Sequence, residues 1–314
     1  MSSIAQFPLL ATWYTWMIPL WMVILGMAVV VTAAFVLFSL LTVVAPKVAA
    51  IARVTAKEGF SQPLFWVAIA LGAVLLLLFP FLPYNTFGED VKVVKDSGLT
   101  LILVLAILMS VWTASVSVAD EIDGRTALTL LSKPVSRRQF ILGKFLGVIT
   151  PALAMFIILG GLFLATVSYK VKHEARESSK SEPTWNECQR EMVHIVPGLA
   201  LAFLETVTMA SIAVALSTRL PMIPNLVICV TIYVLGHLSQ MFADAFRESR
   251  LVSFFGQFIA TVLPNLDDFN IQVAVSSGAP VGWDYVGAVA IYCAIYSTVA
   301  MLVALLLFED RDLA

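Results

Sequence analysis

Charge is what this sequence has least of. Only 13% of its 314 residues are Asp, Glu, Lys or Arg, about half the share of a soluble domain. The formal net charge is −2, so there is no basic footprint for nucleic acid. Cysteine is also scarce: Cys188 lies in a polar loop, 169–194, and Cys229 and Cys293 lie in apolar stretches. Without a CxxC pair, neither a metal knuckle nor a disulfide framework is expected. His173, His194 and His237 are too scattered in sequence to suggest a metal site. They read as solvated or packing histidines, and no cofactor is expected. The GxxxxGK[ST] phosphate loop is missing, since Gly143-Lys144 is followed by Phe145 and position 138 is arginine rather than glycine. HExxH and GxSxG are missing too. The first 16 residues carry no positive charge, and the apolar block behind them is too long for a signal-peptide core. It reads as a retained span.

What the sequence has in abundance is apolar side chain. Hydrophobic residues make up 60% and mean hydropathy is +0.93. A water-soluble fold of this size has no core large enough to hide them. They come in long blocks with charges gathered between. About 20 apolar residues cross the hydrocarbon as a helix, in which every backbone group finds a partner. Seven blocks qualify: 17–45, 64–82, 98–119, 144–168, 195–217, 223–243 and 283–308. Trp13, Tyr14 and Trp16 suit an aromatic belt at the outer end of the first. Block 251–263, ending before Pro264, is too short to span and reads as re-entrant or interfacial. The expected fold is an all-α polytopic membrane protein. Lys and Arg divide evenly between the two sides, so charge bias does not set its orientation.

Two connecting segments carry helical patterns of their own. In 47–61, Val48, Ile51, Ala52 and Thr55 share one face, with Arg53 and Lys57 opposite. This predicts a short basic amphipathic helix in the membrane surface, broken by Gly59 and Pro63; a plain polar connector is the alternative. Segment 120–144 runs DEIDGRTALTLLSKPVSRRQFILGK. Ala127, Leu128 and Leu131 form an apolar patch, and Glu121 and Arg125 are an i, i+4 pair. Pro134 stops that helix. Ser136 with Gln139 forms a capping box that starts the next one. Arg137, Arg138 and Lys144 would then snorkel at the interface. The alternative is a solvated charged loop. Within the spans, Glu205 is the acid nearest a middle. An ionisable group there suggests a translocation path or ion coupling, against a structural hydrogen bond to a neighbour such as Thr208.

Segment 120–144 resembles the cytoplasmic coupling segment of type-2 ABC-transporter permeases. The matching positions are Glu121, Gly124 with Thr126, Leu130 with Leu131, Ser132-Lys133-Pro134, Arg137 and Gly143-Lys144. Arg125 separates Gly124 from Thr126 where many members have them adjacent. The nearest flavour is the branch that includes permeases of nitrous-oxide reductase maturation. Segment 47–63 resembles the family's elbow helix, 251–263 its re-entrant helices and 308–313 its C-terminal tail. The resemblance implies three parts: an extra N-terminal span (1–46), an elbow (47–63) and a six-span core (64–314). It implies a separate ABC ATPase subunit docked on 120–144, pairing as a homodimer or with a sister permease, and a place in the cell (inner) membrane. It also implies an outside N-terminus, a cytoplasmic C-terminus and a separate chain as the site of ATP hydrolysis. An ion-driven secondary transporter would need paired broken helices in repeated halves, and none is visible in the sequence. An intramembrane enzyme would need a cluster of reactive groups, and Glu205 alone is none.

Overall fold

The structure, a computed structural model, describes residues 16–82, 84, 90–119, 136–177, 183–238, 263–271, 274 and 281–309. The long apolar runs become nine helices among these residues: α1 Leu20–Val44, α2 Pro46–Ser61, α3 Pro63–Leu78, α4 Asp90–Ala114, α5 Arg137–Glu177, α6 Trp185–Val193, α7 Val196–Ser217, α8 Met222–His237 and α9 Trp283–Glu309. Helix α3 tightens into a 3-10 turn at Phe79–Phe81, and α4 continues into a π-helical turn at Ser115–Ala119. A further 3-10 turn spans Leu266–Phe269. No strand occurs among the described residues.

Six of the helical stretches are long and apolar enough to cross a bilayer. They carry six of the seven expected spans. The seventh block, 223–243, is represented by the 16-residue α8, and residues 239–243 lie outside the described residues, as does most of 251–263. Large apolar side chains face outward along these helices: Ile24, Phe35, Trp66, Ile291 and Leu306 are each at least 60% exposed. Water would not tolerate such a surface, and lipid does. The protein is a multi-pass membrane protein.

Helix α7 is the centre of the bundle. It packs on α4, α5, α8 and α9, and two thirds of its apolar stretch is buried. Helix α1 has no buried residue, so it is a peripheral helix held by α2 and α5. At the end of the bundle where α1 begins, Trp16 stacks edge-on against Tyr169 at 5.4 Å. Its carbonyl accepts a hydrogen bond from Ser168 Oγ at 2.7 Å. Trp16 thus anchors α1 to protein; Trp13 and Tyr14 lie outside the described residues.

The polar stretch 169–194, expected as an external loop, is largely helix. Helix α5 runs on to Glu177, and a Thr184–Glu187 capping box starts α6. Charges of this stretch pair inward. Lys170 Nζ lies 3.1 Å from Asp90 Oδ2, Lys95 pairs with Glu191, and the Val91 amide donates to Glu174 Oε2 at 2.9 Å. Lys95, Lys170, Lys172 and Glu174 are all buried. Pairing and hydrogen bonding offset the cost of removing such charges from water.

Candidate coupling face and buried polar sites

The opposite end of the bundle gathers the termini of α4, α5, α7 and α9. Segment 120–135 departs from it and lies outside the described residues. Of the sequence-derived candidates, Glu121, Gly124, Arg125, Thr126, Leu128, Leu131, Lys133 and Pro134 therefore have no described placement. Ser136, Arg137, Gly143 and Lys144 do.

Ser136 caps α5 as its sequence foretells. The Gln139 amide donates to Ser136 Oγ at 3.3 Å, and the Ser136 amide donates to Gln139 Oε1 at 3.1 Å. Two of the four orphan donors at the start of the helix are thus satisfied reciprocally. Arg137 lies over the Phe308 ring at 5.9 Å, and Phe308 stacks on Phe140 at 5.7 Å. The start of α5 is thereby tied to the end of α9. Arg219, in the turn after α7, donates from Nε to the Leu307 carbonyl at 2.7 Å and ties that turn to the same place.

The expected amphipathic helix exists as α2. Val48, Ala52 and Thr55 are buried and Arg53 is exposed. What covers the face is protein. Helix α2 lies alongside the first four turns of α5, where Gly143 and Gly147 sit one turn apart. A Cβ at Gly143 would come within 2.7 Å of Ile51 Cβ and 3.1 Å of the Val48 carbonyl. One at Gly147 would overlap Thr55 and approach the Ala52 carbonyl to 2.9 Å. Small residues on both helices let the backbones meet. Lys144 departs from its expected place at the lipid interface. It is buried between these helices, with Nζ 3.9 Å from Glu58 Oε2 and 5.7 Å from the Phe140 ring centroid.

A polar knot that the sequence reading missed lies just before segment 120–135. Asn225, at the start of α8, is fully buried. Its amide donates to Ser115 Oγ in the π-turn at 2.9 Å and to the Ala213 carbonyl of α7 at 3.2 Å. Cys229 donates to Asn225 Oδ1 at 3.4 Å. One side chain thus joins α7, α8 and the π-turn that leads into 120–135. π-turns commonly mark functional sites.

Glu205 is also buried, at 1% exposure. Thr208 does not serve it: the Thr208 hydroxyl lies 3.0 Å from the Leu204 carbonyl oxygen, to which it donates, and 3.3 Å from Cys293 Sγ. The group facing Glu205 is His237, with Nε2 3.5 Å from Oε1. Both border a cavity of about 120 Å³, also walled by Leu99, Thr100, Tyr233 and Phe269–Ile271. Asp267 belongs to the same neighbourhood. Burial pushes its carboxyl up, His237 pulls it back down, and Asp268 adds to the rise. Among the described residues no three His, Cys, Asp or Glu side chains are placed to hold a metal.

A second opening is larger and apolar. A trough of about 1270 Å³ lies between α5, α7 and α9, with Arg137 and Arg138 at one end and Phe203 and Leu204 on its wall. Glu205 does not line it.

The family described as ABC-2 family transporter protein matches the chain over residues 37–313. The chain belongs to the ABC-2 transporter family. The match begins in the last two turns of α1 and takes in every later helix, together with segment 120–135. This permease is thus a membrane subunit of an ABC transporter, a transport component with an all-α polytopic fold. No curated protein matches the permease sequence.

Proposed function

We propose that this permease couples ATP hydrolysis by a separate ABC ATPase subunit to the movement of a substrate across the cell (inner) membrane. The observation that carries the reading is the family match over residues 37–313. The functional unit is a homodimer or a pair with a sister permease, bound to two ATPase subunits. Helix α1 is an extra N-terminal span, α2 the elbow, and 64–314 the six-span core. The N-terminus is outside, and segment 120–144 and the C-terminus are cytoplasmic.

Segment 120–144 is the docking element. Leu128 and Leu131 supply apolar anchors, which dominate most interfaces. Glu121 pairs with a base of the ATPase or with Arg125. Gly124, Thr126, Lys133 and Pro134 shape the turn. The Ser136 cap, the Arg137–Phe308 contact and the Gly143 packing support this reading, because they hold the start of α5 stiffly enough to transmit a push. The Asn225 knot gives α4 a comparable joint on the other side. ATP binding would act through these joints by shifting the bundle between two states.

The reading is tested by ATP turnover in the purified system. The permease alone should hydrolyse no ATP, and a complex with its ATPase subunit should. Robust hydrolysis by the isolated chain, with contaminating ATPases excluded, would refute it.

A further inference from the structure

Two hydrogen-bond acceptors face each other across the Glu205–His237 gap. His237 Nδ1 lies 3.1 Å from the Tyr233 carbonyl oxygen. A carbonyl only accepts, so this contact is a hydrogen bond in the tautomer that carries its proton on Nδ1. In the neutral ring that leaves Nε2 as a bare lone pair. It lies 3.5 Å from Glu205 Oε1, an atom with no hydrogen-bond partner among the described residues. A lone pair against a carboxylate is repulsive. The contact is attractive only when the pair holds one proton, as imidazolium against carboxylate or as imidazole against carboxylic acid.

We propose that Glu205 and His237 form a one-proton site that latches α8 to α7. The two helices are joined by residues 218–221, and the latch ties the last residue of α8 to the middle of α7 beside the 120 Å³ cavity. With the proton present, α7, α8 and the Leu266–Phe269 turn enclose that cavity. Without it, the repulsion parts the helices and opens the cavity. The other groups facing the site among the described residues are few. Tyr233 stacks on the His237 ring at 4.7 Å. Asp267 approaches from the 3-10 turn, with Asp268 beside it. Helix α4 brings Thr100, whose hydroxyl donates to the Asp96 carbonyl, and no ionisable side chain to the cavity wall. From α7, Gly198 and Ala202 complete the lining. The site stands independently of ATP coupling.

The test uses the full chain in lipid nanodiscs and needs no transport substrate. Histidine ¹⁵N NMR, with His237 assigned by comparison with His237→Asn, should show the Nδ1–H tautomer whenever the ring is neutral. The thermal midpoint should fall by about 2–4 °C as pH rises and the shared proton is lost, the shift expected from about 1 kcal/mol in a chain of this order of size. In Glu205→Gln the amide donates to Nε2 without a titratable proton, so that fall should vanish and the high-pH midpoint should be kept. An Nε2–H tautomer in the neutral ring would overturn the proposal. So would the same alkaline fall in Glu205→Gln as in the parent chain.

Discussion

Gly147 shows how much one absent methyl group decides at the residue scale. Helix α2 reaches α5 because nothing projects from Gly143 or Gly147, and the carbonyls of Val48 and Ala52 occupy the space. Backbone carbonyls do not move aside as a flexible side chain would. Gly147→Ala should therefore cost roughly 1–3 kcal/mol through overpacking, read as a lower thermal midpoint in detergent. Gly26, exposed on α1, has nothing within 4 Å of its would-be Cβ. Gly26→Ala should leave the midpoint unchanged or raise it slightly, since alanine is the better helix former. Equal effects of the two substitutions would mean that α2 and α5 are not in close contact. At this scale the sequence was only partly legible. The Ser136–Gln139 box could be read because its partners are three residues apart. The Glu205–His237 pair and the Asn225 knot are not visible as a spacing, because their partners lie on different helices. A count of depth would have found the first of these. Glu205 stands about 18 Å along α7 from Ser217, and His237 about 22 Å along α8 from Met222, at 1.5 Å per residue. Two antiparallel neighbours place such residues at nearly the same level.

At the scale of the element, the apolar blocks marked the spans closely, because lipid demands long apolar runs and leaves little freedom in where they begin. The polar segments were harder. For α2, the periodicity showed which face is buried but not what buries it, since α5 comes some ninety residues later in the chain. Stretch 169–194 read as a loop from its charge. Its charges instead extend α5 and pair with the start of α4, and the Thr184–Glu187 box starts α6. This has a practical result for topology. Cys188, Cys229 and Cys293 are all buried, so the natural chain should label poorly and introduced cysteines should stand out. Asn186 on α6 and Arg138 on α5 are exposed at opposite ends of the bundle. In intact cells an impermeant maleimide should label Asn186→Cys and spare Arg138→Cys until lysis. The reverse pattern would invert the proposed orientation.

The whole molecule is a bundle wrapped around α7, with two polar ends of different character. One end is a layer of paired charge whose lysines are buried: Lys95 with Glu191 and Lys170 with Asp90. The other is a set of joints around segment 120–135: the Ser136 cap, the Phe308 stack, the Arg219 tie and the Asn225 knot. A passive connector needs no such bracing, whereas a segment that receives force from another subunit does. Transport measured together with ATP hydrolysis in liposomes, for permease and ATPase purified as a complex, is the most direct test of that claim. Glu121→Lys reverses the charge offered to the ATPase, and Leu131→Asp removes an apolar anchor; the loss of one such anchor typically costs 2 kcal/mol or more, about 30-fold in affinity. Both variants should insert normally, and both should lose ATPase association or show less transport per ATP hydrolysed. If both keep full assembly and full coupling, segment 120–144 is an ordinary loop and the proposed mechanism is wrong.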